Sequence, residues 1–236
     1  MTTLLENVTA MLDEVPADFG GGCSVSKAYM MAYLIRRFSM KRSLDIGVYR
    51  GRSLFPQALA HAKYTSGVVF GVDPWNASDA VENDNPEIQD QIEQWAASVD
   101  FEGIYQDVRS FISGHSLEDN CTLVRLRSED AIAWFREQSL FFDMIHVDGN
   151  HDTEKVMADL DLYLPVLNRN GFMFVDDISW DSVRPAYDRL LRSMSLVFEN
   201  SDGGANDYAV FWRNRSPLRN LVLKSKLKSL WPGNQE

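Results

Sequence analysis

Cysteine is scarce: Cys23 and Cys121 are the only two in 236 residues, too few for a disulfide framework or a thiolate zinc site, and both are read as ordinary thiols. No apolar run approaches the ~18 residues that a membrane span requires. The N-terminal MTTLLENVTAMLDEVP carries acids where a secretory signal would carry cations. The cytoplasm is therefore the expected compartment. Positive charge is also short. With 23 Lys and Arg against 34 Asp and Glu, the net charge is −11, which leaves no general basic face for a phosphate backbone and excludes nucleic acid as an expected partner. Missing too is the G-x-G-x-x-G spacing of a dinucleotide fold. Neither Asp-x-His nor Gly-Asp occurs anywhere. The GNHD at residues 149–152, which would suit a two-metal phosphoesterase, thus lacks the partners that such a site needs.

What is present is ordinary for a soluble globular chain, 45% hydrophobic and 24% charged, and its length fits one α/β domain. Short β-branched runs alternate with helix-length segments, the pattern of repeated βα units and a mostly parallel sheet. Strands are expected at 43–48, 67–73, 121–126, 141–148 and 171–177, and helices at 53–61, 128–137, 153–167 and 182–194. NRNG reads as a polar stop, with Gly171 ending the helix before the fifth strand. After Met194 the pattern changes to SLVFE, a SDGGAND turn and DYAVFW, a closing hairpin.

Three segments stand outside this alternation. Residues 1–40 have helical periodicity in 4–14 and 25–38 around an FGGG hinge, and are expected to form a helical lid segment; a homodimer through these helices is a further expectation. Residues 76–112 form a long acidic insertion, read as a substrate lid over the strand ends. Residues 213–236 make a basic tail, with six cations and no acid between Arg213 and Gln235. Leu218, Leu221, Val222 and Leu230 fall at helix-like spacing there. Docking on the chain's own acidic domain or a sister subunit is the plainer expectation for this tail, and contact with an anionic membrane surface the other.

The first strand runs into LDIGVYRGRS, where Gly47 and Gly51 let the backbone approach a ligand and Ser53 opens a helix whose N-terminus adds partial positive charge. Asp45 adds a carboxylate that would repel pyrophosphate but hold an ammonium or an amide. Asp73 closes the second strand about where an acid would grip ribose hydroxyls. A nucleoside carrying a carboxylate and an amine, but no phosphate, fits these parts.

On LDIGVYRGRS, VDPW, the LRSEDA turn, FDMIHVDGNHDTEKVMADLDLYLPVLNRNGFMFVDDISW and DYAVFW, residues 40–212 resemble the class I S-adenosylmethionine-dependent methyltransferases. Within them the closer likeness is to the metal-dependent O-methyltransferases of sugars and polyketide glycosides. The resemblance implies a Rossmann-like domain over 41–212, with a seven-stranded sheet and helices on both faces. It places S-adenosyl-L-methionine over Asp45, Gly47, Tyr49, Gly51 and Ser53, its ribose on Asp73 and its adenine by Ser128, with Glu129 adjacent. Trp75 and Trp180 are candidate pocket walls, or simple packing.

The same resemblance brings Asp148, Asp176 and Asp177 together at two neighbouring strand ends. Three such carboxylates repel one another unless a hard cation such as Mg²⁺ joins them; the bland alternative is that Asp176 and Asp177 cap the next helix. His151 is the implied general base, a neutral imidazole taking the proton of an acceptor hydroxyl, with Asp148 beside it; a backbone-bonding role near the turn is its alternative. His146, inside the strand, reads as a core residue. The expected reaction is direct methyl transfer to a hydroxyl of a small molecule or glycoside, and the negative charge around the site favours a neutral or cationic acceptor. A metal-independent methyltransferase, a nicotinamide oxidoreductase and a non-enzymatic S-adenosylmethionine-binding module are the competing readings.

Overall fold

The computed structural model describes residues 2–19, 21–84, 87–201 and 207–230. Seven strands form one sheet: β1 (Arg42–Ile46), β2 (Val68–Val72), β3 (Cys121–Val124), β4 (Phe142–Val147), β5 (Leu167–Asp176), β6 (Ser195–Asn200) and β7 (Tyr208–Trp212). Their order is β3-β2-β1-β4-β5-β7-β6. The first five are parallel, and β7 runs antiparallel to both neighbours. The expected closing hairpin is therefore present, although its turn at 202–206 lies outside the described residues. Between β1 and β4 the strand order reverses, which opens a crevice at their carboxyl ends.

Helices cover both faces because β1, β2, β4 and β5 are buried on both sides and so carry nearly continuous apolar runs. One face packs α6 (Ser128–Glu137), α7 (Thr153–Tyr163) and α8 (Arg184–Ser193) through Ile132, Phe135, Leu160 and Leu190 against Ile145, Met173 and Val175. The opposite face receives the alternate residues Met144, Phe172 and Phe174, covered by α2 (Val25–Phe38) through Met30, Met31, Leu34 and Ile35. Beside it, α3 (Leu54–Ala60) and α5 (Phe101–Gly114) close the other half of that face, with Phe55 stacked on Phe111 at 4.0 Å.

Four expectations change. The N-terminal 40 residues are not a separate lid: α1 (Leu4–Asp13) and α2 are part of the core. The 76–112 insertion divides in two. Its second half is α5, whose Phe101, Ile104, Val108 and Ile112 recur every three or four residues and bury in the core; only the part through α4 (Gln89–Ser98) leaves the regular βα pattern. NRNG does not stop a helix, since α7 ends at Tyr163 in a 3₁₀ turn containing Pro165, whose missing N–H cannot extend it, and β5 continues through Gly171 with a register break against β4 between Leu167 and Phe172. In the tail, α9 (Pro217–Leu230) docks by Leu223 and Leu227, while Leu218, Leu221 and Val222 are 71%, 65% and 63% exposed. Of the expected stripe, these three face outward and Leu230 packs partly on the core.

His61 lies fully buried behind β1, its Nε2 3.0 Å from Ser43 Oγ and its Nδ1 2.9 Å from Thr65 Oγ1. Burial pushes its pKa down to about 4, against the pull of Asp143. The unfolded chain binds that proton near pH 6.5, so the stabilisation is complete above pH 6.5 and disappears as pH falls towards 4, by up to about 3 kcal/mol. His61→Leu should flatten this component. Urea unfolding at pH 5 and pH 7 tests it, and equal pH slopes for the two proteins would contradict it.

Candidate active site

A cavity of about 680 Å³ opens at the carboxyl ends of β1, β2, β4 and β5. Its floor is built by a close approach of two strands. A Cβ on Gly47 would stand 1.8 Å from the carbonyl oxygen of Asp148, and Gly47 has φ +85°. Only glycine permits that approach. The turns after β1, β2 and β5 also hold Tyr49, Trp75 and Asp177 at φ +46°, +46° and +51°, a conformation costing on the order of 1 kcal/mol or more for a residue with a side chain.

Asp73 fixes the glycine loop. Its Oδ2 accepts from the amides of Val48 and Tyr49 at 3.0 and 2.9 Å, and its Oδ1 from Trp75 at 2.6 Å. The carboxylate lines the cavity, but both oxygens already serve the loop. Gly47, Tyr49, Ser53 and Ser128 line the cavity too. Tyr49 OH donates to Asp18 Oδ2 at 3.1 Å, and Arg50 Nε to the same oxygen at 2.7 Å, so the segment before α2 forms part of the wall.

Three expected cofactor residues do not line the cavity. Gly51, φ +84°, shapes the turn, where a Cβ would meet the Phe55 ring at 2.5 Å. Trp75 is 2% exposed, its indole N–H donating to Tyr49 O at 2.9 Å and its ring against Tyr105, so it is packing. Trp180, the other candidate wall, does line the cavity, 5.1 Å from the His151 ring. Asp45 is wholly buried: it accepts from Ser53 Oγ at 2.7 Å, and its Oδ1 is 2.6 Å from His146 Nδ1. A carboxylate there supports the loop from beneath.

His146 is buried as expected but is no apolar filler. Its Nε2 lies 3.0 Å from Asp176 Oδ1, so the imidazole bridges Asp45 and Asp176. Burial opposes its charge, yet Asp176 and Asp45 outweigh burial and raise its pKa to about 10. The other oxygen of Asp176 is in contact with the Lys27 ammonium, which also donates to Gly22 O at 3.3 Å and lies 3.8 Å from Asp148 Oδ2. Lys27 is 1% exposed. Nothing in its local sequence, VSKAYMM, marks it as a site residue, because a lysine in the first turn of a helix is ordinarily solvated.

Asp148, His151 and Asp177 gather above this buried network. His151 Nε2 is 2.9 Å from Asp177 Oδ2 and 3.5 Å from Asp148 Oδ1, without being aligned to hydrogen-bond either. Its Nδ1 is 2.7 Å from Glu82 Oε1, which also accepts the His151 amide at 3.0 Å. Glu82 belongs to the acidic segment, where no spacing distinguishes it from its neighbours. The GNHD turn grips this segment: Asn150 Nδ2 donates to Val81 O at 2.8 Å, and Asp152 accepts from the amides of Asn83 and Asp84 at 2.6 and 2.8 Å. Burial works against a charge on His151, but Asp177, Asp148 and Glu82 outweigh it and hold the pKa well above its usual range. These carboxylates favour the charged ring, where a neutral imidazole was expected. Burial and the charge of Asp176 push Asp148 up to about 6.

The expected magnesium trio does not face one point. Among the described residues, Asp148 and Asp177 group with His151, and Asp148 and Asp176 with His146. No group contains all three aspartates. Asp176 is held by two positive partners, so the trio as arranged does not fit a single divalent ion.

A family profile described as a methyltransferase domain matches residues 44–178, more than half of the chain. The chain belongs to this family. No curated protein matches it. Among solved structures, the methyltransferase is similar to the O-methyltransferase NovP, with 14% identity and a TM-score of 0.61 over 90% of this chain and 97% of that one. It is similar to an O-methyltransferase from Bacillus cereus in complex with SAH, with 15% identity and a TM-score of 0.57 over 90% of each chain. TomG from Streptomyces achromogenes, in complex with SAM, has 13% identity and a TM-score of 0.57 over 90% of each chain. These likenesses show the Rossmann-like fold of class I methyltransferases, with the order and antiparallel β7 found here. Among the described residues, no helix of this methyltransferase is long and apolar enough to cross a membrane.

Gly47→Ala should force the β1 turn away from Asp148, destabilising the fold on the order of 3 kcal/mol and abolishing binding of S-adenosylhomocysteine by calorimetry. Wild-type affinity in the variant would show that this approach does not shape the cavity.

Proposed function

We propose that this chain is an S-adenosylmethionine-dependent O-methyltransferase acting on a hydroxyl of a small molecule or glycoside, with His151 as the base. One observation carries the reading: an imidazole nitrogen without an aligned partner, 2.9 Å from Asp177 and 3.5 Å from Asp148, on the wall of the cavity at the β1/β4 switch point. The bound SAH and SAM of the B. cereus enzyme and TomG support the cofactor. The glycine turn and the loop held by Asp73 fit a ligand that approaches the backbone closely.

When bound, S-adenosylmethionine supplies an electrophilic methyl group and a sulfonium charge that opposes protonation of His151. The protein does the rest. Glu82 accepts from Nδ1–H and the His151 amide, which fixes the ring and leaves Nε2 to face Asp148, Asp177 and the cavity. Nε2, once neutral, takes the acceptor's proton as the new O–C bond forms and the C–S bond breaks. Asp148 and Asp177 then stabilise the imidazolium. The acidic segment held by Asn150 and Asp152 lies at the cavity wall, where a lid would exclude water. The magnesium expected from the resemblance finds its trio divided, and no step depends on it. A neutral or cationic acceptor suits the carboxylates that line the cavity. A cytoplasmic setting and a homodimer belong to the same reading, with the basic tail on its own domain or at an anionic surface.

His151→Ala should lower kcat by about 10²–10⁴ while leaving calorimetric affinity for S-adenosylhomocysteine within a few-fold. Retained turnover would remove His151 from the mechanism. Glu82→Gln keeps an acceptor for Nδ1–H but loses its charge, so kcat should fall about tenfold or more, with the pH–rate profile shifted to lower pH. An unshifted profile would assign Glu82 to lid packing alone.

A further inference from the structure

We propose that the Lys27 ammonium is the resident cation of the carboxylate cluster, standing between Asp148 and Asp176 where a divalent ion would otherwise sit, so that this chain transfers methyl groups without a metal.

The geometry supports this in three ways. First, the position is taken. Lys27 Nζ touches Asp176 Oδ2 and lies 3.8 Å from Asp148 Oδ2, so the ammonium is the cation that the two carboxylates share, in the space that an ion bridging them would need. Second, the ammonium is built in. Lys27 is 1% exposed, Met30 and Met31 one turn further along α2 are core residues, and Gly22 O accepts a further hydrogen bond at 3.3 Å. It reaches the cluster from the N-terminal end of α2, where the helix itself disfavours a cation. The carboxylates must supply what holds it there.

Third, the contacts of Asp176 are filled: His146 Nε2 lies 3.0 Å from its Oδ1 and Lys27 Nζ touches its Oδ2, so a divalent ion beside Asp176 would have to displace one of them. Lys27 does not line the cavity, so it is a positioning residue: it neutralises and orients Asp148 and Asp176 from beneath, and the acceptor's proton goes to His151 without a metal to acidify the hydroxyl. The catalytic clause rests on the methyl-transfer reading, whereas the occupancy of the cation position does not.

Titration of the full chain with Mn²⁺, followed by electron paramagnetic resonance, tests the occupancy directly. Wild type should leave the free-ion signal undiminished, and Lys27→Met, which keeps the length and loses the charge, should gain one site with at least tenfold tighter binding. Stoichiometric Mn²⁺ binding by wild type would overturn the proposal, as would a folded Lys27→Met that still takes up no ion. Should Lys27→Met fail to fold, the wild-type titration decides alone: binding overturns the proposal, and its absence supports it. Turnover of wild type after dialysis against chelator should be unchanged, and loss of turnover restored by Mg²⁺ would also overturn it. Calorimetry with S-adenosylhomocysteine separates the two readings, because a wild type that binds neither S-adenosylhomocysteine nor Mn²⁺ fails as a methyltransferase while the ammonium keeps its place.

Discussion

Two carboxylates, a histidine and a lysine share a buried space at the floor of the cavity, which Asp176 also lines, and the arrangement of the strand ends depends on their pairing. Asp45 on β1, His146 on β4, Asp176 on β5 and Lys27 on α2 form one chain of contacts, with Ser53 joining it at the glycine loop. Every member is less than 6% exposed. Removing one partner from such a buried pair costs about 3–5 kcal/mol, because it leaves a charge with neither water nor counter-ion. The network is therefore a strong constraint on how three strands and one helix meet. It holds the floor on which Asp148 stands.

Above that floor, the site is assembled from chain segments far apart in sequence. Asp148, His151 and Asp177 come from the ends of β4 and β5, and Glu82 from the acidic segment after β2. The GNHD turn, which in isolation suggests a metal signature, serves two purposes. His151 faces the cavity, while Asn150 and Asp152 take hold of residues 81–84. The same turn thus carries the proposed base and the attachment of the segment that orients it, which couples closure of the wall to the setting of the imidazole.

Much of the architecture is legible because parallel strands buried on both faces must be apolar along their length. FFDMIHVD and GFMFVDD announce themselves this way, and Ser128–Glu137 falls as the periodicity of SEDAIAWFRE places it. The misreadings share a cause. Amphipathic periodicity shows that a helix has an apolar face but not which body it meets, so α2 and α5 look like outlying lids when they are core helices. In α9 two apolar stripes compete, and docking on β6 selects Leu223 and Leu227 over Leu218, Leu221 and Val222. NRNG looks like a stop because its residues are polar, but Asn168 and Arg169 lie where β5 is partly exposed and can remain extended.

The sequence by itself determined the alternation of strands and helices, the glycine that lets the turn after β1 press against the end of β4, and the acids and histidine at the strand ends, because those depend on local conformation and on side-chain chemistry carried by each residue. Tertiary structure alone decided how the charges pair. Whether Asp176 faces a metal, a lysine or water depends on Lys27, 149 residues away in the chain, and whether His151 is neutral or charged depends on three carboxylates from separate segments. Electrostatic energy depends on distance in space, and distance along the chain carries almost none of it.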